Sequence, residues 1–132
     1  MHSKIEIAEL PITEEFLSQK RLIQERGELA LIEDGEEFHH LAYFSLLKGK
    51  GYRGGHYHLN KHERFYIISG KISLDCVDVH THEKENFTLY TGQKVMIYPG
   101  IAHRFESLED AQVIEYYSGV YDKEDEFPFH DF

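Results

Sequence analysis

The chain has 132 residues, 41% hydrophobic and 14% aromatic, and carries a formal net charge of −10 from 24 acidic and 14 basic residues. That size fits a single domain, no apolar run approaches the roughly 20 residues of a membrane span, and the acidic surplus argues against a nucleic-acid partner, whose phosphates need clustered Lys and Arg. The lone Cys76 has no internal disulfide partner, and the opening MHSKIEIAEL lacks a signal-peptide core, so a cytoplasmic protein is expected.

In chain order, PITEEFLSQKRLIQERG has Thr13 as a candidate cap, Glu14 and Glu15 in a favourable first turn and Gly27 as a stop, which predicts a short N-terminal helix over about 13–26. From Glu28 the pattern becomes short runs rich in β-formers: LALIE, a predicted hairpin turn at Asp34-Gly35, then EFHHLAYFSLLK. After GKGYRGG come HYHL, ERFYIIS, a turn at Gly70, ISLDCVDV, the loop HTHEKEN, FTLY, a turn at Gly92, KVMIY, HRFES and QVIEYYSGVY. So many closely spaced strands predict an all-β sandwich or barrel with a core over approximately 28–120. The acidic, aromatic tail 121–132 is read either as packing Phe127, Phe129 and Phe132 onto that core or as fraying.

Chemistry concentrates in RGGHYHLNKHE, residues 53–63. His56 and His58 are two apart, so on a strand both imidazoles project to one face, with Cβ atoms about 7 Å apart, able to converge on one ion at about 2 Å. Glu63 shares parity with Phe65 and Ile67 and therefore rides on a core-like face, where an ionised carboxylate needs a partner, a proton or a metal. His103 ends the later block GQKVMIYPGIAH. His62 has the opposite parity to Glu63 and is assigned to the surface, as are His39, His40, His80 and His82.

These segments resemble the two cupin motifs. The first, HYH-LNKH-E-RFYIIS-G, is complete except for its leading glycine, where Lys50 stands; in the second, Gly92, Gly100 and His103 are in register, with Tyr98 at the usual proline and Ser107 at the usual asparagine. The resemblance, covering roughly residues 40–120, implies a cupin jelly-roll, an antiparallel β-barrel, in which His56, His58, Glu63 and His103 bind one divalent transition metal ion. Such a ligand set suits Zn, Fe, Mn, Ni or Co.

Within that superfamily the RGGHYH segment resembles the dTDP-4-dehydrorhamnose 3,5-epimerases and dTDP-sugar 3,4-ketoisomerases. The tail resembles that of the ketoisomerases, and GHYH…E is similar to the archaeal cupin-type glucose-6-phosphate isomerases and the C-terminal cupin of capsular-polysaccharide reductases. The epimerases use a free histidine as base and carry glutamine where this chain has His58.

The resemblance implies a sugar or nucleotide-sugar isomerase or epimerase that moves a proton beside a carbonyl. Its substrate would be a sugar phosphate or nucleotide sugar and its assembly a homodimer. Glu63 and Tyr116 are the candidate catalytic residues, and Arg53, Tyr43 and Tyr98 the candidate substrate contacts, with Arg53 placed to meet a phosphate. Two other readings stay open, an iron-dependent dioxygenase and a non-catalytic sugar-binding module.

Overall fold

The computed structural model describes residues 2–132, and among these are ten strands and two single-turn 3-10 helices, His2–Lys4 and Lys123–Asp125. The strands are β1 (Ile5–Glu9), β2 (Lys20–Gln24), β3 (Gly27–Leu31), β4 (His40–Leu46), β5 (Tyr52–Tyr57), β6 (Glu63–Asp78), β7 (Lys84–Tyr90), β8 (Gln93–Ile97), β9 (Ile101–Tyr117) and β10 (Phe127–Pro128). Eight strands form one antiparallel sheet, ordered β1-β8-β6-β9-β5-β10, with β4 also on β9 and β7 also on β6; β2 and β3 form a separate hairpin.

The expected all-β architecture is present, with two corrections. Pairing leaves β1 and β10 as free ends, so among the described residues the sheet curls but does not close into a barrel. The N-terminal helix over 13–26 does not form. Thr13 does accept a hydrogen bond from the Glu15 amide at 3.1 Å, as a cap would, but its own N–H goes to the Arg21 carbonyl and the Arg21 N–H to the Pro11 carbonyl. Backbone groups that a helix would need are thus spent on Arg21, and Leu22 faces Leu29 across the β2–β3 hairpin. Non-local pairing has overridden a local cap signal. Nor does Asp34-Gly35 turn a hairpin, because β3 pairs with β2 whereas β4 pairs with β9.

Gly70, read as a turn, lies inside the 16-residue strand β6. Register shifts between Ile67 and Ile72 interrupt the β6–β9 ladder there, so the buried face passes from Phe65 and Ile67 to Ile72, Leu74 and Cys76. This face meets Phe105, Val113, Val95 and Ile97 in one apolar cluster, the floor on which the polar residues described below stand.

Candidate metal centre and cavity

The four sequence-derived ligands converge. One ligand atom from each of His56, His58, Glu63 and His103 lies within 4.8 Å of the other three, although the residues come from β5, its exit loop, the start of β6 and β9. Glu63 Oε1 is 3.0 Å from Nε2 of both His58 and His103. His56 faces His103 directly in the β5–β9 register. An octahedral or tetrahedral shell with bonds of about 2.1 Å separates its ligands by roughly 3.0–4.2 Å, so the cluster needs only a slight contraction to close on an ion.

Hydrogen-bond directions favour a cation at the centre. A carbonyl only accepts, so His58 Nδ1 donates to the Asp125 carbonyl and His103 Nδ1 to the Ile101 carbonyl, leaving the Nε2 lone pair of each neutral ring aimed at the Glu63 carboxylate. The buried His58 Nε2 and Glu63 Oε1 have the separation of a hydrogen bond but not its alignment. Acceptors facing acceptors at 3% exposure are costly unless a cation or a proton lies between them. In the metal-free protein protonation serves: burial opposes charge on both groups, yet His103 and His58 hold the Glu63 carboxyl well below its ordinary range, and Glu63 with the Asp125 carbonyl holds His58 above its own. Burial, reinforced by His103 and His58, pushes His56 down to about 4, which keeps that ring neutral and ready to ligate at pH 7. The donor set therefore fits a divalent ion.

Two local devices place these ligands. On a regular strand, Arg53 and His56, three apart, would point to opposite faces. The ladder pairs Arg53 with Phe105, Gly54 with Arg104 and His56 with His103, so one residue is extra and Arg53 and His56 return to the same face. Gly54 makes the bulge sterically feasible: its φ is +95°, and a Cβ there would sit 2.7 Å from the His103 carbonyl oxygen.

The second device is the tail, which is ordered. β10 pairs with β5, Phe127 stacks on Tyr57 at 5.3 Å, and the buried Asp125 accepts from the Leu59 and Asn60 amides at 2.7 and 3.2 Å. Glu126 Oε1 lies 3.5 Å from His56 Nδ1.

A cavity of about 270 Å³ opens beside the ligands, bordered by Arg53, His56, His103, Glu115 and the rings of Phe44, Phe65 and Phe105. A larger apolar groove of about 820 Å³, between the β2–β3 hairpin and the outer face of β4 and β9, contains none of the ligands. The convergent polar groups make the smaller hollow the candidate site.

Comparison with family models matches residues 23–126 to the polysaccharide biosynthesis C-terminal domain. The chain belongs to this family. A search of curated proteins found no match. Among solved structures, a sugar 3,4-ketoisomerase from Thermoanaerobacterium thermosaccharolyticum in complex with TDP is 17% identical, with 100% of this chain and 93% of that one covered at a TM-score of 0.78. A 3,4-ketoisomerase from Helicobacter canadensis is 15% identical over 96% of this chain and 91% of its own, at 0.77. A dTDP-4-dehydrorhamnose 3,5-epimerase from Sulfolobus tokodaii is 20% identical over 96% and 77%, at 0.76. The polysaccharide biosynthesis domain thus shares the cupin fold of the nucleotide-sugar ketoisomerases and epimerases.

In this family member the remaining sequence candidates are scattered. Arg53 borders the cavity, with Nε donating to the Ser45 carbonyl at 3.1 Å and its guanidinium over the Phe44 ring. Tyr43 also borders it, but it pairs with Ile114, which puts its ring on the outer side, 57% exposed. Tyr98 donates to Glu6 at 3.1 Å and meets the exposed His62, away from the cavity. Tyr116 pairs with Leu41, packs on Phe38 and lines the outer groove, on the opposite face from His103. Its neighbour Tyr117 instead takes the inner face: it stacks on His40 at 4.1 Å, with the Lys61 ammonium 4.2 Å from its ring centre. Burial, with Glu115 and Glu63 adding, pushes the Tyr117 hydroxyl up to about 12. Alternation along β9 distinguishes the two tyrosines only once the strand's bulges are known.

His40 was assigned to the surface from sequence, yet it is half-buried and 2.9 Å from Glu115. No sequence signal marked that pair, since 75 residues separate its members.

Proposed function

We propose that the chain is a metal-dependent isomerase or epimerase acting on a sugar or nucleotide sugar, moving a proton at a carbon next to a carbonyl. The observation that carries this reading is the convergence of His56, His58, Glu63 and His103, two of which, His56 and His103, border a cavity that also holds Arg53. When bound by those four residues, a divalent ion supplies a Lewis acid that polarises a sugar carbonyl. Arg53 presents fixed donors to a phosphate oxygen at the mouth. The apolar walls exclude water and face the sugar ring.

The size of the cavity suits a single sugar ring. Ligand pockets for drug-sized molecules run from roughly 300 to 1,000 Å³, so a nucleotide would extend beyond the mouth past Arg53. The cupin-fold neighbours support this substrate class, for they are nucleotide-sugar enzymes, one of them with TDP in its structure. The exposed Phe16, Leu17, Leu29 and Leu41 along the outer groove support the homodimer expected from the sequence.

The test is metal content as purified, for the natural chain and for His58→Ala, followed by a panel of sugar phosphates and nucleotide sugars with the metal found. One ion per chain, lost in His58→Ala, together with isomerised or epimerised product is expected. Stoichiometric metal in His58→Ala overturns the ligand assignment. Heat of binding without product supports a binding module, and oxygen uptake with an iron-loaded sample supports a dioxygenase.

A further inference from the structure

The proton transfer proposed above needs an acceptor that the ion does not already hold. Of the side chains bordering the cavity, Arg53 offers donors and no acceptor, His56 and His103 belong to the proposed ligand set, and the phenylalanines have no proton to exchange. Glu63 is turned into the ligand cluster, 3% exposed, and does not border the cavity. The Tyr43 ring faces outward. That leaves a single carboxylate among the described lining residues, Glu115.

Glu115 is built as a base would be. It lies on the inner face of β9, opposite Ala42 and Phe65 in register, and one carboxylate oxygen, Oε2, is 2.9 Å from His40 Nε2. The carboxylate accepts, so the imidazole donates. His40 is itself held flat on Tyr117, the rings 8° from parallel at 4.1 Å, which fixes its aim. No hydrogen bond among the described residues engages the other oxygen, Oε1.

We propose that Glu115 is the general base of the proposed reaction and that His40 is its positioning residue. Glu115 removes a proton from the carbon beside the sugar carbonyl. The C–H electron pair becomes the new C=C bond, and the carbonyl π pair moves onto its oxygen. Delivery of a solvent proton to the opposite face of the same carbon, while Glu115 releases the one it took to solvent, gives the epimer. Returning it to the former carbonyl carbon, while the neighbouring hydroxyl loses its proton to the first oxygen, gives the ketoisomer. No oxidant or co-reactant is consumed. The inference rests on the isomerase reading and adds the identity of its base.

The experiment follows solvent deuterium into TDP-4-keto-6-deoxyglucose by proton NMR, using the metal-loaded full chain. Glu115→Gln keeps the size of the side chain but cannot take the proton. It is expected to slow exchange by at least about 100-fold, with metal content and the heat of TDP binding unchanged. His40→Gln is expected to lower kcat by less and to leave KM alone; a change in KM alone overturns the positioning role. Exchange in Glu115→Gln at the natural rate overturns the base and leaves the isomerase reading standing, whereas no exchange by the natural chain overturns both. Should Glu115→Gln lose its metal, Glu115→Asp with metal retained decides in its place, an unchanged rate again overturning the base.

Discussion

Replacing Gly54 with alanine tests the device that seats β5 against β9. The backbone there has φ +95°, a conformation costing a residue with a Cβ about 1–2 kcal/mol. The new carbon would also stand 2.7 Å from the His103 carbonyl oxygen and 3.1 Å from Arg104 Cα, where ordinary contact begins at 3.4 Å. Overpacking of this kind costs about 1–3 kcal/mol, for a total of roughly 2–5 kcal/mol. With a urea slope of about 2 kcal/mol/M, the unfolding midpoint should fall by about 1–2.5 M.

Gly119 provides the control, since its φ is +85° but an added Cβ would meet nothing within 4 Å. Gly119→Ala should show only the conformational part, below about 1 M in urea. Relief of the Gly54 clash moves β5 away from β9 and so draws His56 off His103, so zinc affinity should fall in Gly54→Ala and not in Gly119→Ala. Equal midpoint shifts and equal zinc affinities in the two variants would refute the close-approach reasoning.

Asp125→Ala removes the carboxylate that holds the Leu59 and Asn60 amides, and should loosen the loop carrying His58; calorimetry is expected to show zinc affinity reduced by about 10- to 100-fold, and unchanged affinity would mean that the tail plays no part in the centre. In the metal-free protein, His56 should titrate near pH 4 by NMR, far below its ordinary value. The sign follows from its lowered pKa: between about pH 6.5 and 4 the unfolded chain binds more protons at this residue than the folded one, so its contribution to stability falls as pH falls through that window. His58, raised, acts in the opposite direction and favours the folded metal-free state until pH rises through its folded value.

Part of the His56, His58, Glu63 and His103 cluster was legible because short-range rules apply to it: His56 and His58, two apart, project together at the end of β5, and Glu63 sits on core parity, so each leaves a trace within a dozen residues. His103, on β9, was reached only through the resemblance. The N-terminal segment shows the reverse case. Thr13 and Glu15 carry a true local capping signal, and their hydrogen bond forms, but Pro11 and Thr13 find their decisive partner in Arg21 and no helix follows. That the sheet stays open among the described residues was not readable, because it depends on which strands end it.

The Tyr116 and Tyr117 pair and the His40–Glu115 contact were hidden for a related reason. Each depends on strand register after the irregularities in β6 and β9, and one extra residue exchanges the two faces. Gly100 is read from the sequence only as a position of the second motif, yet it adds a tie to the site, its amide donating to the His58 carbonyl at 2.7 Å.

The extra residue at Gly54-Gly55 also serves the tail. Removing Gly55 would leave Arg53 and His56 two apart on a regular strand and so still on one face; what the chain would lose is the Gly55 carbonyl, which accepts from the Phe129 amide at 2.9 Å just beyond β10. The bulge is thus a latch plate for the C-terminal segment, and because that segment also carries Asp125 to the Leu59 and Asn60 amides, one unpaired glycine couples the end of the chain to the loop that bears His58.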